Sequence, residues 1–159
     1  MEKSTNEDEL IKKILVDTKT IAMVGVSSIK KEESSNLKRR PSIIVMKYLQ
    51  EFGYRVIPVN PFSAGKEIYG ETIVAQLSDI NIPVDIVDVF RPSKEAATFA
   101  EQTVKIKAKT FWLQYGIQSD EAKEISEKEN INYIANKCIK QEYQRLFLKV
   151  SPVFPALKN

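Results

Sequence analysis

The chain has 159 residues, 24 of them basic and 21 acidic, for a formal charge of +3, with no histidine and one cysteine. That length suits one domain able to bury a sizeable core without staples, and the lone Cys138 excludes an internal disulfide. The missing histidine excludes Ser-His-Asp and Cys-His triads, a phosphohistidine intermediate and His-ligated metal, while one thiol builds no zinc site; neither a catalytic constellation nor a metal is expected.

Along residues 6–17, Leu10, Ile11, Ile14 and Leu15 recur at helical spacing and predict a short amphipathic helix covering the sheet, within an N-terminal segment 1–18. The core, 20–147, contains five strand-like runs at 20–26, Tyr54–Val59, Asp85–Phe90, Lys109–Gln114 and Asn132–Ala135. Helix-like stretches at 42–52, 93–107 and 119–130 alternate with them. This alternation implies crossover connections and an α/β fold of mostly parallel strands. A strand order of 3-2-1-4-5 is expected, which puts the reversal between the first and fourth strands and sets the loop from Gly25 beside the loop from Gln114. From Asn60 to Pro83, the breakers Pro61, Gly65 and Gly70 predict loop, turn and at most one short helix. Gln141–Leu148 reads as a terminal helix, and Pro152 and Pro155 stop it within a surface tail, 148–159.

No apolar run approaches the roughly 20 residues that span a bilayer. No segment has the pattern of a secretory leader, so a cytoplasmic setting without membrane contact is expected. Charge is mixed along the chain, which argues against a nucleic-acid surface. The segment from Lys30 to Arg40 lacks aromatics and ends in three cations, Lys38, Arg39 and Arg40, which suits a small anion.

The first strand ends in Gly25-Val26-Ser27-Ser28-Ile29-Lys30, the position of the dinucleotide fingerprint, yet only its first glycine is present. A Cβ on Ser27 obstructs close approach of a pyrophosphate in that pose, and the second strand runs into Asn60-Pro61 without the acid that binds an NAD ribose. An anion is still indicated. Arg39 and Arg40 precede Pro41 at a helix start, where each cation is disfavoured by roughly 0.3–1 kcal/mol unless a bound anion reverses the sign. A phosphate there would take the free backbone N–H groups, the Ser42 hydroxyl and the guanidinium donors together; otherwise both arginines are solvated and Ser42 caps the helix.

Val89 and Phe90 can line a cleft, and Arg91 can reach an anion or a carboxylate, or pair with Asp88. Asp85 and Asp88 lie three apart in a strand and point to opposite faces, so they form no acid/base pair. Trp112 and Tyr115 are expected against helices. Gln114 either hydrogen-bonds an amide-rich ligand or satisfies a loop backbone group. Cys138 has no histidine to activate it and is expected to be inert.

The ordered set Gly25-Val26-Ser27, Arg40-Pro41-Ser42, Gly53 to Pro61, Asp85 to Arg91 and Trp112 to Ile117 resembles the stand-alone CoA-binding domain family, related to the N-terminal domain of the succinyl-CoA synthetase alpha subunit. The likeness spans about Thr20 to Leu146. It implies a Rossmann-like three-layer sandwich that holds coenzyme A, or an acyl-CoA, along its strand ends. By motif position, Gly25 to Ser28 and Arg39 to Ser42 would meet the phosphates and pantetheine, Asn60 and Pro61 the adenosine part, and Val89, Phe90, Arg91, Gln114, Gly116 and Ile117 the remaining channel. The partner domain and histidine of the synthetases are missing, so ligase activity is not expected. Three functions fit: a noncovalent CoA-binding module, an NAD(P)-binding enzyme using the same cleft, or an interaction subunit with a vestigial pocket. A homodimer or another protein partner is compatible with each.

Overall fold

Strand β1 (Thr20–Val24) is buried from end to end, as a strand in the middle of a parallel sheet must be. The computed structural model describes residues 5–27 and 40–149. In it β1 lies between β2 (Arg55–Val59) and β5 (Ile86–Val89), followed outward by β6 (Thr110–Leu113) and β7 (Asn132–Ile134), and every pairing is parallel. Alternate side chains enter two separate cores. Ile21 and Met23 pack beneath α1 (Asn6–Asp17), α2 (Pro41–Glu51) and α5 (Ile139–Tyr143). Ala22 and Val24 pack with the opposite layer, α3 (Ala96–Lys105) and α4 (Asp120–Lys128). The expected Rossmann-like three-layer α/β sandwich is present.

The order within the sheet differs from expectation. Counting only its five strands, the order is 2-1-3-4-5 instead of 3-2-1-4-5, because the third strand returns beside the first. Met23 thus pairs in register with Pro58 on one side and Asp88 on the other. The reversal falls between the first and third strands, and the loop from Gly25 borders Phe90 and Arg91 instead of Gln114. Residues 60–83 also hold more order than their breakers suggest: β3 (Glu67–Ile68) and β4 (Glu71–Thr72) form a small hairpin before a 3-10 turn at Leu77–Asp79. Its two turn residues, Tyr69 and Gly70, both have positive φ, at 48° and 83°, which matches the right-handed twist of a two-residue hairpin loop. The terminal helix starts earlier than predicted, at Ile139, and Gln144–Leu148 forms a π-helical turn.

Helix starts differ in a way that matters for the site. In α1, Thr5 accepts from the Asp8 N–H at 2.9 Å and Glu7, Asp8 and Glu9 fill the first turn; α4 is capped by Ser119. Helix α2 has Arg40 as its N-cap with no side-chain cap, Pro41 next, and no acid in its first turn. The acidic start of α1 also binds the helical segment after β7. Arg145 donates to both Asp8 oxygens, at 2.7 and 3.1 Å, and to Glu142 at 2.7 Å.

Two carboxyls make stability depend on pH with opposite signs. Hydrogen bonds from Arg145 lower Asp8 from 3.8 to about 2, so its contribution is present above about pH 4 and is lost as the pH falls toward 2. Asp88 is fully buried between Met23 and Trp112, with no hydrogen bond to either oxygen among the described residues. Desolvation raises its pKa well above 3.8. The fold keeps that proton while the unfolded chain releases it above about pH 4, so stability falls as the pH rises from there. Asp88→Val should therefore stabilise the fold at pH 7, by a margin that shrinks as the pH is lowered toward 4. Urea midpoints across that range check this, and a loss of stability at pH 7 would contradict it.

Candidate functional site

Gly25 leaves β1 between the ends of its two neighbours. Its N–H donates to the Val59 carbonyl at 3.1 Å, and the Phe90 N–H donates to the Val24 carbonyl at 2.8 Å. With φ at +89°, Gly25 holds a conformation that L side chains rarely adopt, and a Cβ there would lie 2.8 Å from the Phe90 oxygen and 2.9 Å from Arg91 Cδ. Glycine is required on both counts.

The turn beyond it is tied from two sides, by Asn60 and by Ser42. Val26 is buried, and its carbonyl accepts from Asn60 Nδ2 at 2.6 Å; Asn60 Oδ1 accepts from the Phe62 N–H at 2.7 Å. The Ser27 N–H donates to Ser42 Oγ at 3.0 Å, and the two hydroxyls lie 3.3 Å apart. Ser42 is thus buried between the β1 loop and α2; it does not cap the helix.

These ties frame a cleft of about 540 Å³ whose walls include Gly25, Ser27, Arg40, Asn60, Phe62 and Arg91. Arg91 forms a two-pronged pair with Glu95, at 2.8 and 3.0 Å, and not with Asp88, which lies inside the core. That hydrogen bonding raises the Arg91 pKa and lowers that of Glu95, so both stay charged at neutral pH. On the far side of the α2 start lies a second cleft of about 750 Å³, with Pro41, Phe90, Gln114, Tyr115, Ile117 and Cys138 among its walls.

The residues singled out from sequence divide between the two clefts. Gly25, Val26, Ser27, Arg40, Asn60, Pro61 and Arg91 line the first. Pro41, Phe90, Gln114 and Ile117 line the second. Three lie on neither wall: Ser42 is buried between the β1 loop and α2, Val89 is fully buried in the α3/α4 core, and Gly116 donates its N–H to Asn136 Oδ1 at 2.7 Å. Ser28 and Arg39 lie outside the described residues. Gln114 takes its backbone role, its Oε1 accepting from the Ile139 N–H at 3.2 Å. Trp112 is buried as expected and donates to the Lys137 carbonyl, whereas Tyr115 does not pack against helices; it is 76% exposed at the rim of the second cleft.

Sequence reasoning missed Phe62, Gln76, Glu95 and Phe99 in the first cleft. Glu95 carried a usable signal, four residues after Arg91 at the start of a helix. Phe62 carried none, being one aromatic in an irregular loop, yet it is 89% exposed. Among the described residues no acidic, cysteine or histidine cluster could hold a metal, and no helix is long and apolar enough to cross a membrane.

Compared with known proteins, residues 19–144 match the family described as CoA binding domain. The chain is similar to the uncharacterized protein YneT of Bacillus subtilis (strain 168), with 37% identity over 130 residues that cover 82% of this chain and 89% of that protein. Among solved structures it is similar to cell-free ID.343 from Thermus thermophilus, at 37% identity and a TM-score of 0.79, covering 88% of this chain and 98% of that one. It is also similar to a hypothetical protein from Pyrococcus horikoshii OT3, at 36% identity and a TM-score of 0.75, covering 92% and 99%.

The geometry at Gly25 sets a graded expectation. Gly25→Ala should cost about 1–3 kcal/mol for its strained backbone and more for the contact with Phe90. Gly53→Ala, at φ +96° but with nothing within 4 Å, should cost the strain alone. Urea unfolding of both variants measures the difference, and equal losses would contradict the close approach.

Proposed function

Because the chain belongs to the CoA binding domain family, we propose that it binds coenzyme A or an acyl-CoA noncovalently, in the cytoplasm, and performs no chemistry by itself. The observation that carries this reading is the first cleft, where a backbone turn without a Cβ, a helix start without a side-chain cap, and two arginines converge. Each of these suits a phosphate. Backbone N–H groups at a helix start point outward and the helix dipole favours negative charge there, while guanidinium groups hold phosphate oxygens in charge-assisted pairs.

In this reading Gly25 to Ser27 and the α2 start, Arg40 to Ser42, receive the pyrophosphate, with Ser28 and Arg39 next to them in the chain. Arg91 is already charged and held at the cleft wall by Glu95, and it can exchange one oxygen partner for another. Asn60 has committed its side chain to Val26 and Phe62, so it contributes shape to the adenosine end. The exposed ring of Phe62 offers that end an aromatic face. A nicotinamide dinucleotide fits less well: Ser27 replaces the second fingerprint glycine, and β2 runs into Asn60-Pro61 without an acid. The lack of any histidine supports binding without catalysis.

Calorimetric titration with CoA, dephospho-CoA and NADPH at low and moderate salt tests the proposal. CoA should bind most tightly and weaken with salt, and Arg40→Ala should reduce its affinity about ten-fold at low salt, the loss of one charge-assisted bond. Unchanged affinity in Arg40→Ala, or tighter binding of NADPH than of CoA, would overturn it.

A further inference from the structure

The second cleft is larger than the first, about 750 against 540 Å³, and falls within the size range of small-molecule pockets. The two abut at two peptide bonds. Arg40 lines the first cleft and Pro41 the second; Arg91 lines the first and Phe90 the second. This ridge of two peptide bonds is all that the chain sets between a ligand at the Gly25 turn and the second cleft.

What it meets there is apolar. Pro41, Ile44, Val45, Phe90, Tyr115 and Ile117 form most of the wall, and Cys138 adds a thiol. Ile44 and Tyr115 leave 41% and 76% of their surfaces in water, an arrangement that an apolar occupant would relieve. The polar side chains described on this wall besides Tyr115 are few: Gln114, Lys140 and the exposed Gln141. Gln114 accepts from the Ile139 N–H, and the ammonium of Lys140, the only charge on the wall, sits 5.1 Å from the centre of the Tyr48 ring. Among the described residues of this wall, an acyl carboxylate would meet only that one ammonium, and only by drawing it from the Tyr48 ring.

We propose that the second cleft receives the acyl end of a CoA thioester, so that the chain prefers thioesters of uncharged aliphatic acids to free CoA. The inference rests on CoA occupying the first cleft. Each methylene buried against such a wall strengthens binding by about four-fold at most, less whatever ordering the chain costs.

The test is titration of the whole chain with CoA and with acetyl-, butyryl-, hexanoyl- and succinyl-CoA. Affinity should rise with chain length, hexanoyl-CoA binding at least about ten-fold more tightly than CoA, with succinyl-CoA close to CoA. Ile44→Glu, a change at an exposed rim position, should bring the hexanoyl-to-CoA ratio toward one, and Tyr115→Glu should do the same; circular dichroism checks that both variants fold. If CoA binds but chain length has no effect, or succinyl-CoA binds more tightly than hexanoyl-CoA, or both variants keep the full ratio, the acyl assignment falls while the CoA reading stands. If neither CoA nor any thioester binds, the first-cleft reading falls and takes this one with it.

Discussion

The close approach of Gly25 to the end of β5 is the constraint on which the site depends. β1 runs between β2 and β5, so its exit must clear both neighbours at once, and the Phe90 carbonyl and Arg91 side chain occupy the space where any Cβ would stand. The chain can turn there only through a glycine with positive φ. That turn opens the crevice at the strand ends and brings Val26 and Ser27 within reach of Asn60 and Ser42. Three segments distant in sequence are thereby locked around one backbone turn by short hydrogen bonds, and a ligand cleft built on such ties loses little freedom when filled.

Charge at the cleft follows from what α2 lacks. The starts of α1 and α4 are compensated by Thr5 and Ser119 and by acids in their first turns, whereas α2 begins at Arg40 and Pro41 with neither. A cationic residue at the positive end of a helix is unfavourable unless an anion joins it. Arg91 shows the complementary arrangement, a guanidinium already paired, with Glu95 holding it at the cleft wall. The proposed CoA, with its several phosphates, would bring negative charge to a helix start whose first turn holds no acid, and the apolar second cleft continues from the same ridge.

Much of this was legible in the sequence because it rests on local periodicity. Five apolar runs, the alternating helices and the motif residues at strand ends located the elements and part of the cleft walls. Strand order was not legible, since both orders bury the same runs; the return of β5 beside β1 is a long-range choice, and it moved the neighbour of Gly25 from Gln114 to Phe90 and Arg91. Val89 was misassigned because a strand residue can face either layer, and its place in the α3/α4 core follows from the register. The hairpin at Glu67–Thr72 was hidden by Tyr69, which takes a positive φ that few non-glycine residues adopt. The strand spacing separates Asp88 from Asp85, but the complete burial of Asp88, with no hydrogen bond among the described residues, has no sequence signature.

The central claim is a location: phosphates at the Gly25 turn and the start of α2. A crystal structure of the protein grown with CoA measures it directly. The pyrophosphate should lie within hydrogen-bonding distance of the Val26 or Ser42 backbone N–H or the Arg40 guanidinium, with the adenosine beside Asn60 and Phe62. CoA bound elsewhere, for example in the aromatic groove formed by Val16, Phe52 and Tyr143, with the Gly25 turn untouched, would contradict it.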